Sequence, residues 1–451
     1  MKSGFLCQTV SSAEEGVVFL QYSECIEYLE HEVGFASRPG LERIRVLCDA
    51  LGNPERRLSV IHIAGTNGKG SAAAMLSSIL KEAGYRVGTY TSPHLERYNE
   101  RFLINGEAIS DEAFAEEITL MRQVSLALAQ EGKEIPTLFE LLTGAAFHYF
   151  LEQKVDVVVL EVGLGGAYDA TNVVPAPLLS LIMSISMDHT NFLGDTIEKI
   201  AAEKAGIIKK NCPVVLYSQD KIVYNIVERV AAEMHAPLFC PQNAKSSIHS
   251  QTLEGTVFSV EQNGLPLADL VLPLLGSYQI ANCITVLEAC AVLRERGLSL
   301  SEGAIRSGLQ KTRWAGRMEI CGREPLVLLD GAHNADGILQ LANSLSVYFG
   351  QKKLTLLLGV LGDKEYQKMI EEILPFADAV VLTEPQNERR LEVTALAHTI
   401  SHFGGKIYLE KDIAKAYESA LAQTKRDGIL LCCGSLYMIG AIKAHLHSRK
   451  D

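Results

Sequence analysis

Three glycines around one lysine, in the stretch SVIHIAGTNGKGS from Ser59 to Ser71, are the residues of this chain best suited to chemistry. Gly65, Gly68 and Gly70 let the backbone wrap closely around an anion, Lys69 supplies a point charge, and Thr66 or Ser71 supplies a hydroxyl. The apolar run Ser59 to Ala64 is long enough for one buried strand of a parallel sheet. Behind the loop, SAAAMLSSILKEAG reads as a helix ended by Gly84. Loop amides and the positive end of the helix dipole therefore converge on one spot, where a phosphate is expected. The spacing departs from G-x-x-x-x-G-K-[ST]: position 63 is Ile, and Gly70 separates Lys69 from Ser71. A glycine-rich turn that binds nothing is the competing reading. It is disfavoured because strand, glycines, lysine and helix occur in the order a phosphate loop requires.

Other segments offer ligand-type side chains. VDVVVLEVGLGG, residues 155–166, reads as a strand buried on both faces with Glu161 near its end. A carboxylate there is costly unless paired or metal-bound, so Glu161 either holds Mg²⁺ or closes a buried salt bridge. Pro93 keeps Ser92 out of the helical region, and the Ser92 hydroxyl either projects from a strand end or satisfies its own turn. Arg97 and Arg101 add positive charge nearby. The apolar strand in PLLSLIMSISMDHT ends by presenting Asp188 and His189, the latter read as a metal or phosphate contact. DTIEKIAAEKAGIIKK reads as a helix with Asp195 and Glu198 at capping-box spacing and Lys204 in its last part. Lys204 is either a solvated helix lysine or, beside a metal, an amine of lowered pKa that permits carbamate formation. Asn282, in the first turns of LLGSYQIANCITVLEACAVLRERG, either pairs with a base edge or belongs to the helix start.

These side chains need a large scaffold, and 451 residues imply two domains. With 47% hydrophobic and 21% charged residues the chain reads as globular, and disorder is not indicated. A net charge of −12 disfavours nonspecific nucleic-acid binding and requires local positive groups or Mg²⁺ for an anionic substrate. Ten cysteines without a C-x-x-C pair read as reduced and structural, and MKSGFLCQTVSS lacks the pattern of a signal peptide. Leu270 to Leu287 is uncharged but interrupted by Pro273, Gly276, Gln279 and Asn282, so a soluble cytoplasmic protein without membrane contact is expected.

Residues 1–57 read as two helices around a turn at Pro39 and Gly40, and 213–275 become β-rich around Gly255 and Gly264. KTRWAGR, which carries the sole tryptophan, reads as the linker between domains, with boundaries at 1–311, 312–317 and 318–451. From Leu326 onward five strand–helix alternations indicate a Rossmann-like α/β domain. Its first strand ends in DGAHN, placing Asp330, His333 and Asn334 at an edge where ligands sit. No G-x-G-x-x-G follows, so a dinucleotide site is disfavoured. The fold class is α/β, a P-loop NTPase-like ATPase domain followed by the Rossmann-like domain.

Taken in order, GTNGKGS, TSPHL, LEVGLGG, DATN, MDHT, EKAGIIK, WAGR and DGAHN resemble the motifs of folylpolyglutamate synthases and the related bifunctional dihydrofolate synthases. These are Mur-type ATP-dependent amide ligases, and the resemblance spans about residues 20 to 445. It implies that Gly65, Thr66, Asn67, Gly68, Lys69, Gly70 and Ser71 bind the ATP phosphates. It implies further that Ser92, Glu161 and His189 hold Mg²⁺, and that Lys204 is carbamylated to help bind a second Mg²⁺. Asn282 and Arg317 would contact the nucleotide, with Asp330 and His333 contributing from the second domain. The reaction implied is phosphorylation of a pterin-linked carboxylate by ATP, then attack by the amine of L-glutamate. Folate or dihydropteroate would be the acceptor, and a monomer is expected. Three positions depart from the pattern: Ala167 replaces a usual arginine, Ala315 a usual proline, and Tyr278 a frequent histidine.

Overall fold

The computed structural model describes residues 19–34, 40–262 and 265–449. The stretch MKSGFLCQTVSS, Pro39 and Gly264 lie outside the described residues. Among them, an eight-stranded sheet comprises β1 (Val60–Ala64), β2 (Val87–Tyr90), β3 (Phe102–Ile104), β4 (Glu107–Ala108), β5 (Val157–Glu161), β6 (Leu179–Ile182), β7 (Val214–Leu216) and β8 (Leu238–Phe239). Their order is β4-β3-β2-β5-β1-β6-β7-β8, parallel from β2 through β8, with β3 and β4 antiparallel at one edge.

The continuous apolar runs of β1 and β5 follow from burial on both faces. Ile61, Ile63, Val157 and Val159 point to the helices Lys69–Glu82 and Tyr278–Glu295. Val60, Val158 and Leu160 point the other way, to Asp111–Gln130 and Leu138–Glu152. The chain crosses over β1 when it passes from β5 to β6, so the loops after β1, β5 and β6 open on one edge, the position where α/β sheets bind ligands.

A three-stranded antiparallel sheet follows, in the order β11 (Leu265–Leu272), β10 (Gly255–Gln262), β9 (Lys245–Thr252). The helix Glu302–Lys311 then leads through the linker to a six-stranded sheet. Its strands are β12 (Glu319–Arg323), β13 (Leu326–Leu329), β14 (Leu354–Leu358), β15 (Ala377–Leu382), β16 (Lys406–Leu409) and β17 (Ile429–Cys433). They run in the order β12-β13-β17-β14-β15-β16, parallel except for β12. Cys432 and Cys433 are buried strand residues, and the nine described cysteines are free thiols.

Several local expectations change. Antiparallel strands that no alternation marked flank both large sheets: β3 and β4, too short to carry a pattern, at one edge of the first, and β12 at one edge of the second. Asp188 and His189 lie beyond the end of β6 at Ile182, on a loop before the short helix Thr190–Leu193. Asp195 is not a cap: Thr196 caps the helix Ile197–Ala205 through Lys199 N, while Asp195 pairs with Lys199 Nζ at 2.7 Å.

Candidate active site between the two lobes

β1 feeds the loop Gly65–Gly68, and the helix Lys69–Glu82 begins directly behind it. Gly68 adopts φ +85°, and a Cβ there would stand 2.7 Å from Asn282 Oδ1, so both conformation and space call for glycine. The loop is anchored from β6: Thr66 N donates to Ser184 O at 2.7 Å, and Thr66 Oγ1 donates to Ser186 O at 3.1 Å. Lys69 Nζ folds back onto Gly65 O at 3.1 Å and Thr66 O at 3.3 Å, and stands 4.0 Å from Glu161 Oε1 at the end of β5. Behind the helix start, Asn282 donates to Gln279 Oε1 at 3.0 Å and Gln279 donates to Ser71 Oγ at 3.1 Å. The Trp314 ring covers Gly70.

Burial controls the charges here. It pushes the Glu161 carboxyl up to about 7, against Lys69, Arg317 and a hydrogen bond from Ser92 N–H. It brings the Lys204 amine down to about 7, aided by the like charge of Lys69, and Lys204 Nζ donates to Gly65 O at 2.9 Å. Ser92, Glu161, Lys69 and Lys204 therefore form one continuous group around the phosphate loop.

The second lobe closes this group. Asn334 caps the helix Ala335–Phe349 through Gly337 N at 2.7 Å, and its Nδ2 donates to Asn67 Oδ1 at 3.1 Å and to Asp188 Oδ2 at 2.9 Å. Asn67 Nδ2 donates to Asp336 Oδ2 at 2.7 Å. Lys364 Nζ donates to Asp188 Oδ1 at 2.6 Å and to His189 Nε2 at 3.2 Å. Burial opposes ionisation of Asp188, yet the Lys364 ammonium 2.6 Å away holds its carboxyl below the usual range. Burial lowers His189 and His333 each to about 4, so both rings are neutral, and His189 Nε2 serves as an acceptor.

Asp330 accepts Met318 N at 2.8 Å and Ala332 N at 2.7 Å, bracketing the linker to the DGAHN turn. Arg317 lies against Gly331, where a Cβ would stand 2.5 Å from its Nη1. Ala167 packs against Gly206 at the end of the Lys204 helix, and its amide donates to Glu203 O at 2.9 Å.

Three participants carried no local signal strong enough to single them out. Lys364 and Asp336 lie in loops or helix starts after second-lobe strands; position after a strand end was the available clue for Lys364. His62 is fully buried on β1 with its pKa lowered to about 3 by burial. Thr171 Oγ1 donates to Asp169 at 2.5 Å and so accepts from His62 Nε2 at 2.8 Å, while Asp169 accepts the amides of Gly163 and Leu164. This relay steadies the loop that leaves Glu161.

Comparison with known proteins agrees over both lobes. Residues 63–290 match the family described as Mur ligase middle domain, and residues 316–436 match Mur ligase, glutamate ligase domain. The dihydrofolate synthase/folylpolyglutamate synthase of Bacillus subtilis (strain 168) is 37% identical over 434 residues, covering 95% of this chain and all of the relative. The crystal structure of folylpolyglutamate synthase from Thermotoga maritima superposes with a TM-score of 0.82 at 36% identity, covering 95% of this chain and 97% of that one. E. coli FolC in complex with DHPP and ADP superposes with a TM-score of 0.84 at 30% identity, covering 96% of this chain and 99% of that one. With a phosphate loop in one lobe, a DGAHN turn facing it from the other, and relatives matched from end to end, the chain belongs to the folylpolyglutamate/dihydrofolate synthase family of Mur ligases.

Proposed function

We propose that this enzyme joins the carboxylate of a pterin-linked acceptor, a folate and also dihydropteroate, to the amine of L-glutamate while ATP becomes ADP and phosphate. The observation that carries the reading is convergence: Lys69 and Glu161 stand 4.0 Å apart on the first lobe, and Lys364 and Asn334 of the second reach Asp188 beside them. A carboxylate is a poor electrophile because oxide would have to leave. Transfer of the terminal phosphoryl group gives an acyl phosphate, from which phosphate departs with the electron pair of the C–O bond as the amine attacks. Lys69 and the amides of Gly65 to Ser71 offset the charge of the phosphates. Asn282 and Arg317 contact the nucleotide. His333 donates Nδ1–H to Gly331 O at 2.8 Å, which fixes its neutral ring at the junction of the lobes, and Asp330 holds that turn in place. The second lobe keeps water from the acyl phosphate.

Mg²⁺ fits the donors in a specific way. Among the described residues no three His, Cys, Asp or Glu side chains form a cage, so protein ligands alone would not suffice. Mg²⁺ requires only one or two carboxylates together with phosphate oxygens, and Glu161 is a buried carboxylate whose ionised form needs a cation. Ser92, Glu161 and His189 would hold it, and Lys204 as a carbamate would offer oxygen to a second ion. When bound, the ion supplies charge neutralisation at the phosphates.

The same reading makes the enzyme a cytoplasmic monomer acting on small molecules; no helix among the described residues is long and apolar enough to cross a membrane. ADP release measured with and without L-glutamate and acceptor tests the proposal. Turnover that requires both, with glutamylated products by mass spectrometry from dihydropteroate and from a reduced folate, is expected. Glutamate-independent turnover would identify a phosphohydrolase or kinase instead.

A further inference from the structure

Leu95 belongs to the first lobe by sequence but packs into the second. Its side chain lies against the cluster of Val327, Leu329, Met438, Ile439 and Ile442. Two glycines form its seat. A Cβ on Gly316, in the linker, would stand 3.3 Å from Leu95 Cδ1, and one on Gly440, inside the last helix Leu436–Ser448, would stand 1.9 Å from Leu95 O. Glycine is a poorer helix-interior residue than alanine, so its presence here needs a reason. At Gly440 the missing side chain is what admits the loop.

The contacts around this seat tie three segments together. His447 Nδ1 donates to Glu96 Oε2 at 2.9 Å, and Lys443 Nζ donates to Glu319 Oε1 at 2.7 Å. Glu319 Oε2 in turn accepts Gly316 N at 2.8 Å. One helix thus grips both the linker and the loop. The loop itself is stiff, because the amides of Leu95, Glu96 and Arg97 all donate to the Glu100 carboxylate, at 2.8, 2.9 and 2.8 Å. At its other end Ser92 N–H reaches Glu161.

We propose that Leu95 is a positioning residue: seated between Gly316 and Gly440, it transmits docking of the second lobe to the Ser92 loop and so to Glu161. Amide formation then requires the seat. This rests on the ligase reading above, and a readout independent of activity separates the two. Trp314, the sole tryptophan, lies over Gly70 two residues before Gly316, so acrylamide quenching of its fluorescence reports linker docking.

The experiment compares Leu95→Ala, Leu95→Met and Gly440→Ala by kcat with glutamate and acceptor and by Trp314 quenching. Leu95→Ala and Gly440→Ala are each expected to lower kcat by roughly tenfold to a hundredfold, as a small misplacement of reacting groups does. Both should increase quenching, and Leu95→Met should restore most of the rate. Wild-type kcat and quenching in Leu95→Ala would overturn the proposal, as would a kcat in Leu95→Met as low as in Leu95→Ala. If the unmodified enzyme forms no amide, the functional reading fails, and unaltered quenching in both Leu95→Ala and Gly440→Ala would still refute the coupling on its own.

Discussion

Lys364 of the second lobe donates to Asp188 of the first at 2.6 Å, and both side chains are more than nine-tenths sealed from water, at 6% and 8% exposure. Removing Lys364 leaves Asp188 buried with only the neutral donors Asn334 Nδ2 and His189 N–H, and breaking a buried pair costs roughly 3–5 kcal/mol where water cannot enter. The pair bridges the two lobes and belongs to neither sheet, so the penalty falls on docking and leaves each sheet folded. Lys364→Met should enlarge the radius of gyration in solution scattering with unchanged far-UV circular dichroism. An unaltered radius of gyration would show that the pair does not hold the lobes together.

Lys69 and Glu161 supply the opposing charges at the phosphate loop. Lys69→Ala and Glu161→Ala should each reduce ligation by about 10²–10³-fold or more, the loss typical of a preorganised electrostatic group. Circular dichroism should match the unmodified enzyme. Near-normal ADP release in either variant would remove that residue from the active centre.

Gly68 should not tolerate a side chain. Gly68→Ala places a Cβ at φ +85° and 2.7 Å from Asn282 Oδ1. The left-handed conformation alone costs about 1–2 kcal/mol for an L-residue, so ADP affinity by calorimetry should weaken by roughly tenfold or more. Undiminished affinity would mean that the loop does not need this conformation to hold phosphate.

His148 gives a pH dependence remote from the active site. Burial works against its charged form, but Glu117, whose Oε2 lies 2.9 Å from Nδ1, raises its pKa above the ordinary 6.5. The folded state therefore binds the proton more tightly than the unfolded one. Its contribution is full below pH 6.5 and is lost as pH rises through the folded-state value. Denaturant titrations from mildly acidic to mildly alkaline pH should show a steeper loss of stability in the unmodified enzyme than in His148→Gln. Equal slopes would rule the pair out as the source.

What the sequence determined is local. Strand, loop and helix around Lys69 are contiguous, and Glu161 interrupts an apolar run that is itself a strand. The βα repeats after Leu326 show because periodicity and breakers act within a few residues. Tertiary structure alone decided which of these segments meet. Asp188 and Lys364 are 176 positions apart, and Asn67 and Asp336 are 269, so no spacing rule could pair them. Gly440 looks like a weak point in a helix until Leu95 is found lying on it. Asp330 looks like a free acid until both its oxygens are found accepting backbone amides. A side chain's type is written in the chain, but its partner, its burial and hence its charge arise only when distant segments pack together.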